Sequence, residues 1–299
     1  MAREKDQSPG ELGPPWTVLK LLRWTAGYFE EEEVTETPRL DADLLLAHVL
    51  GLQRVQLYAR FDTPVSDEQR QEFRKLVKRR VSGEPVAYLV GRRAFWQMDL
   101  QTDARALIPR PETEVLVEVA LERLSEPDGE LRIADVGTGT GAVALAIATE
   151  RDDASVLATD ISDEALALAE SNIDEQGFSE RIECLESDLL ADVPDRWIPF
   201  DMIVSNPPYV PESDRDDVMV DVREYEPDEA LFAGPDGLAT IERLVAESHD
   251  ALREGAWLVV EIAHSQGEDV SSLFERTGFG NVDIRQDYAG NDRVVSGQK

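Results

Sequence analysis

The chain has 299 residues, 42% of them hydrophobic, and a formal net charge of -32. That is length enough for two domains and apolar content enough for packed cores, while the excess carboxylate disfavours nucleic acid and anionic membranes unless basic groups are segregated. The polar start MAREKDQSPGELGPP has no apolar signal-like stretch, no apolar run approaches the ~18 residues of a membrane span, and one cysteine, Cys184, excludes an internal disulfide, so a cytoplasmic protein is expected. Only five of the 30 basic residues are lysine. Acid-rich, lysine-poor chains suit a salt-rich cytoplasm, so the charge reads first as a habitat signal and second as a partner signal. An island at 70–93 departs from it, with eight Lys or Arg against two Glu. It is either the solvated face of a helix or a docking patch for an anionic partner.

Residues 1–85 are predicted to form a small helical domain, with 1–14 disordered. WTVLKLLRWTAGYF puts Val18, Leu21, Leu22 and Thr25 on one stripe. TPRLDADLLLAHVLG has Thr37 as N-cap, Pro38 at the first helical position, Gly51 as the stop, and His48 on its apolar side as a core histidine. SDEQRQEFRKLVKRRVSG runs from a Ser66 cap through acidic first-turn residues to a basic last turn, in accord with the helix dipole. Residues 86–110 read as a linker with a hairpin in RRAFWQMDLQTD, and IPRP is too stiff for helix.

Residues 111–299 form the second predicted domain. After the helix ETEVLVEVALERL come strand LRIADVG, helix GAVALAIATE, strand SVLATD, helix SDEALALAESNIDEQG, and strands RIECLES and FDMIVS. Helix GLATIERLVAESHDALREG, strand AWLVVEIA and helix GEDVSSLFERTG follow, then two strands around Ala289, Gly290 and Asn291. Alternation of this kind implies parallel pairing with right-handed crossovers, hence a doubly wound α/β domain with its ligand at the carboxyl ends of the strands. Cys184, in RIECLES, is expected to be a small core residue.

DVGTGTGAVALA follows the first strand of that domain and opens a helix. Gly137, Gly139 and Gly141 allow a sharp turn and close backbone approach, Thr138 and Thr140 lie between them, and the helix start offers N–H groups to an anion. Asp160 ends the next strand, 23 residues after Gly137, where such domains place a carboxylate for ribose hydroxyls. A nucleoside cofactor is therefore expected. NAD fits less well, because G-x-G-x-G is not the dinucleotide spacing; the methionine carboxylate of S-adenosylmethionine suits the tighter loop. Asp188 is placed to bond the adenine amino group and Leu189 to pack on the ring, unless SDL is simply a capped turn.

VSNPPYV ends the fourth strand with Asn206, Pro207, Pro208 and Tyr209. The Asn206 side-chain oxygen and the following backbone carbonyl can both accept from one NH2 group, the prolines fix the carbonyl's direction, and Tyr209 can stack on a planar group. Together they suit a carboxamide or a nucleobase amine. Such a nitrogen is a poor nucleophile until its N–H bonds are held so that the lone pair faces the methyl donor, which is catalysis by orientation and preorganised dipoles.

With TPRLDADLLLAHVLG, RRVSGEPVAYLVGRRAFW, LIPRPETE, DVGTGTGAVALA, VSNPPYV, YEPDEALFAGPDGL and AGNDRVV in place, nearly the whole chain resembles the release factor glutamine methyltransferases, the PrmC/HemK family. The resemblance implies a class I S-adenosylmethionine-dependent methyltransferase fold, a Rossmann-like seven-stranded sheet with its last strand antiparallel, behind a small all-α substrate-recognition domain. It implies methylation of the side-chain amide nitrogen of the glutamine in the GGQ motif of class I peptide-release factors. Carried onto this chain, it assigns the 137–141 loop and Asp160 to the cofactor, Asn206 to both cofactor and substrate, and Pro207, Pro208 and Tyr209 to the amide pocket. Leu189 stands where the family often has an aromatic. Arg110 and Glu112 fall to substrate binding in the channel between the domains or, equally, to salt bridges that tie the linker to the second domain. A monomer without metal is expected. The competing reading is a nucleic-acid amino-methyltransferase acting on a flipped adenine or cytosine; a non-catalytic binder of the translation apparatus is disfavoured by the intact loop and Asn206.

Overall fold

The computed structural model describes residues 15–124 and 129–299, so the expected disorder of 1–14 lies outside the described residues. Two compact units divide between Gly91 and Arg92.

The first unit comprises α1 (Val18–Glu31), α2 (Pro38–Leu50), α3 (Arg54–Tyr58), α4 (Asp67–Val81) and α5 (Val86–Val90). The stripe Val18, Leu21, Leu22 and Thr25 is buried. Its apolar members pack with Leu45 and Leu46 of α2, Leu57 of α3, Phe73 and Leu76 of α4, and Leu89 of α5. Ser66 caps α4 through a reciprocal pair of bonds with Gln69, at 3.2 and 3.1 Å. Three expectations change here. Thr37 makes no capping bond; its hydroxyl donates instead to Asp41 at 3.1 Å, and Pro38 alone sets the start of α2. His48 is exposed rather than in the core, because the buried face of α2 runs through Ala42, Leu45 and Leu46. Residues 86–90, expected in a linker, are helical, since Leu89 buries into the helical core.

The basic island is largely neutralised. Arg80 is buried and pairs with the buried Asp41 at 2.9 Å. Arg70, Lys75 and Arg79 pair with Asp67, Glu72 and Glu84, and Arg92 with Glu175. Among the described residues, Arg74 and Lys78 stand exposed without an ion-pair partner.

The second unit opens with the hairpin β1 (Arg92–Phe95) and β2 (Met98–Gln101), and then α6 (Glu114–Arg123). The alternating region follows as β3 (Leu131–Val136), α7 (Ala142–Glu150), β4 (Ala154–Asp160), α8 (Asp163–Gln176), β5 (Ile182–Glu186) and β6 (Phe200–Ser205). After β6 come α9 (Val220–Tyr225), α10 (Ala239–Ala251), β7 (Leu252–Glu261), α11 (Gly267–Thr277), β8 (Gly280–Gln286) and β9 (Asp292–Gln298). The sheet order is β5-β4-β3-β6-β7-β9-β8, and β9 runs antiparallel to both its neighbours. Neighbouring residues of one strand serve opposite faces, as a period of two requires. Ile133, Val259 and Val294 join the layer containing α6, α7 and part of α8, whereas Ala134, Val260 and Val295 join that of α10 and α11. Cys184 is half-buried beside the first layer, and burial pushes its thiol up to about 12, so it behaves as a packing residue.

The helix expected to run to residue 255 ends at Ala251. Residues 252–255 belong to β7 instead, where the register against β6 shifts and Gly255, at φ +79°, donates to the Lys299 carbonyl at 2.8 Å. No helix of the described residues is long and apolar enough to cross a membrane.

Candidate active site

The chain runs from β3 outward to β4 and β5, then returns to place β6 on the other side of β3. The loops leaving β3 and β6 diverge at this reversal, where open α/β sheets hold ligands. A cavity of about 350 Å³ lies there. Its lining includes Gly137, Thr138, Gly139 and Thr140 after β3, Asp160 at the end of β4, Asp188 and Leu189 after β5, and Asn206 and Pro208 after β6. The strand ends thus bring together residues up to 71 positions apart, from Gly137 to Pro208.

The glycine loop is held by its own main chain. Gly137 and Thr138 donate to the Thr159 carbonyl at 2.8 and 2.9 Å, and Gly141 to Thr138 at 2.9 Å. Gly141 sits at φ +80°, and a Cβ there would meet Ala169 of α8 at 3.4 Å, an ordinary contact, so the backbone conformation rather than the space calls for glycine. It shapes the loop but is not among the cavity-lining residues. Asp135, buried at the end of β3, accepts from the Thr138 hydroxyl at 2.6 Å and the Ala144 N–H at 3.0 Å, tying the loop to α7. Burial pushes its carboxyl up to about 6 against those two bonds. Asn172 of α8 donates to the Thr140 carbonyl at 2.9 Å and accepts from Gln101 N–H at 2.7 Å, joining the loop to the hairpin.

Asp160 accepts from Gly139 N–H at 2.8 Å through one oxygen and from Ser162 N–H at 3.1 Å through the other. Burial raises its pKa, and these N–H groups oppose the rise. Asp188 is half exposed and pairs with Arg243, another lining residue, at 3.0 Å. Leu189 adopts φ +57°, a conformation that costs a non-glycine residue on the order of 1 kcal/mol. Its carbonyl accepts from the Thr159 hydroxyl at 3.3 Å.

On the other side, β6 is aligned with β3 by Ser205, whose hydroxyl donates to the Val136 carbonyl at 2.6 Å. Asn206 follows, donating from Nδ2 to Thr113 Oγ1 at 3.2 Å. Pro207 is buried and Tyr209 partly so, and neither is among the cavity-lining residues. The Tyr209 hydroxyl donates to Glu261 at 3.4 Å, and burial raises its pKa, as does the nearby Glu261 charge. Beyond Tyr209 the loop is stitched to 231–234. Val210 N–H donates to Leu231 at 2.9 Å, Ala233 N–H to Val210 at 3.0 Å, and Glu212 N–H to Gly234 at 2.9 Å. Gln266 closes the stitch by donating to the carbonyls of Tyr209 and Gly237, at 3.2 and 3.3 Å.

Arg110 lines the cavity and pairs at 2.5 Å with Glu226, which also accepts Ile108 N–H at 3.1 Å. Arg110 therefore serves as lining and as a tie for the 105–110 segment at once. Burial raises the Glu226 pKa against the pull of Arg110. Glu112 is exposed and does not line the cavity. Thr113, Asp135, Glu226, Glu261 and Gln266 went unassigned from sequence. All except Gln266 lie within motifs or strands already singled out, but their partners become visible only once distant strands are side by side.

The sequence matches the PrmC N-terminal domain over residues 20–91 and the Methyltransferase small domain over residues 112–222. The release factor glutamine methyltransferase of Rhodopirellula baltica is 43% identical over 291 residues, covering 95% of this chain and 97% of that protein. The protein of the same name from Escherichia coli is 41% identical over 280 residues, covering 94% and 99%. Among solved structures, a methyltransferase from Pyrococcus furiosus, 19% identical, covers 69% of this chain and 91% of its own with a TM-score of 0.50, which shows the same fold. With a cavity at the β3/β6 reversal and relatives matched over nearly their full length, the chain belongs to the release factor glutamine methyltransferase family.

Proposed function

We propose that this protein transfers a methyl group from S-adenosylmethionine to the side-chain amide nitrogen of the glutamine in the GGQ motif of class I peptide-release factors. The observation that carries the reading is Asn206, at the end of β6, lining the same cavity as the glycine loop and Asp160. The lining suits the cofactor. Asp160 spends one acceptor site per oxygen on Gly139 and Ser162, and a carboxylate has about four, so capacity remains for ribose hydroxyls. Asp188 and Leu189 stand where an adenine amine and ring would lie, and the start of α7 offers N–H groups to the methionine carboxylate. When bound, the cofactor supplies an electrophilic sulfonium methyl group.

The chain's own part is orientation. The Asn206 side-chain oxygen and the Pro207 carbonyl accept the two N–H bonds of the substrate amide and direct its nitrogen lone pair along the transfer path. Pro208 lines the cavity and Tyr209 ties the loop to Glu261 at the end of β7. Arg110 borders the cavity, and Glu112 lies on the exposed surface of the turn that follows it. The helical unit, which matches the PrmC N-terminal domain, is assigned recognition of the release factor.

The test is incubation with labelled S-adenosylmethionine and, separately, an intact release factor, its GGQ→GGA form, DNA and RNA. Label is expected in the intact release factor alone. Label in the GGA form, or only in nucleic acid, would overturn the reading.

A further inference from the structure

Asn206 can accept from a substrate amide only if its own amide is turned the right way. Half a turn about its terminal bond would present NH2 where an acceptor is needed, with almost no change in shape. The turn Pro111–Thr113 carries a group that tells the two orientations apart. Asn206 Nδ2 donates to Thr113 Oγ1 at 3.2 Å, and Thr113 is 4% exposed. A hydroxyl can donate as readily as accept, so alone it would not discriminate.

Glu261, at the end of β7, supplies the asymmetry. It is 1% exposed; its Oε1 accepts from Tyr209, and its Oε2 lacks a hydrogen-bond partner among the described residues. The Thr113 hydroxyl lies near enough to this carboxyl to favour its charged form, so a rotation of the hydroxyl proton toward it would supply the missing donor. A buried acceptor without a donor and a buried hydroxyl proton that Asn206 does not use are complementary, and leaving either unmatched is costly. Committing the proton to Glu261 in its ionised form leaves the hydroxyl's lone pairs for Asn206 N–H. The Asn206 oxygen then faces the cavity.

We propose that Thr113 is a positioning residue for methyl transfer, whose hydroxyl, polarised by Glu261, locks the Asn206 amide with its oxygen toward the substrate. The proposal rests on the amide-orienting role given to Asn206 above. It links two segments that look unrelated in sequence, PRPET and NPPY, through one directional chain from Asn206 to Thr113 to Glu261, with Tyr209 bonded to the same carboxyl.

The test compares Thr113→Val, Thr113→Ser and Asn206→Ala in the full-length protein, reading kcat and KM for release factor together with cofactor Kd by calorimetry. Thr113→Val is expected to lower kcat by about ten- to a hundredfold, with KM and Kd within about threefold of wild type, because only orientation is lost. Thr113→Ser, which keeps the hydroxyl, is expected to restore most of kcat. Wild-type kcat in Thr113→Val, or equal loss in the serine variant, overturns the positioning role. Full activity in Asn206→Ala instead overturns the amide-orienting reading itself. If Thr113→Val does not fold, judged by its melting temperature, nitrogen-edited NMR of the wild-type protein decides. One Asn206 amide proton is expected downfield and slow to exchange; two solvent-like protons would refute the lock.

Discussion

Burying a carboxyl as deeply as Glu261, 1% exposed, disfavours its charged form. Burial pushes its pKa from 4.5 up to about 7 against the pull of Thr113, Arg293 and Tyr209, while Glu112 adds to the rise. The folded state therefore holds this proton more tightly than the unfolded state, so its stabilising contribution is full below about pH 4.5 and is lost as pH rises through about 7. At about 1.4 kcal/mol per pH unit, the full effect is roughly 3 kcal/mol. Glu261→Gln, which cannot ionise, should flatten the stability profile between pH 5 and 8, as urea unfolding can measure; an unchanged slope would show that Glu261 does not titrate there. The same variant should lower kcat, because a glutamine NH2 can donate to Thr113 and free its proton for the wrong face of Asn206. Asn206→Ala should lower kcat by at least about a hundredfold with cofactor Kd nearly unchanged, since the role proposed for it is orientation of the acceptor. The position of Asn206 and Asp160 on the cavity was legible from sequence because one follows and the other ends a strand beside a recognisable loop. Thr113 and Glu261 were not: the roles proposed for them depend on a contact across 93 residues for the first and 52 for the second.

At the scale of elements, the loop after β6 owes its shape to a glycine far along the chain. A Cβ on Gly237, at φ +74°, would lie 2.3 Å from the Tyr209 carbonyl and 3.0 Å from Gln266 Nε2. Gly237→Ala should therefore destabilise the protein beyond the ~1 kcal/mol of the backbone conformation alone and lower kcat by displacing the Asn206 loop. Gly177→Ala is the control. That glycine also has positive φ, at the end of α8, but no atom lies within 4 Å of its would-be Cβ. It should show the backbone penalty only, with activity retained; equal effects from both substitutions would remove the steric explanation. The long strands and helices were readable because periods of 2 and 3.6 persist over several residues. The five- and six-residue helices α3, α5 and α9 are too short to show a period, and at 252–255 pairing with the chain's last residue overrides a helical pattern. His48 was misplaced because an apolar stripe read from sequence does not say where the core stops.

For the whole molecule, the net charge of -32 is the dominant electrostatic fact. Most of the basic island is spent on internal pairs, so it does little to offset that charge for a partner. Self-repulsion among carboxylates weakens as the screening length falls from about 10 Å at 0.1 M salt to about 3 Å at 1 M. The melting temperature should rise over that range of potassium chloride; a flat or falling response would contradict a fold limited by its own charge. The fold and the family were legible from motifs spread over nearly the whole chain, whereas the acceptor's identity depends on chemistry that Asn206 shares with enzymes acting on nucleobases. The most direct measurement is tandem mass spectrometry of a release factor after incubation with this protein and S-adenosylmethionine. A single methyl group on the side-chain amide of the GGQ glutamine is the expected result. A methyl group on any other residue, or none on the release factor while RNA or DNA in the same reaction is methylated, would contradict glutamine as the acceptor.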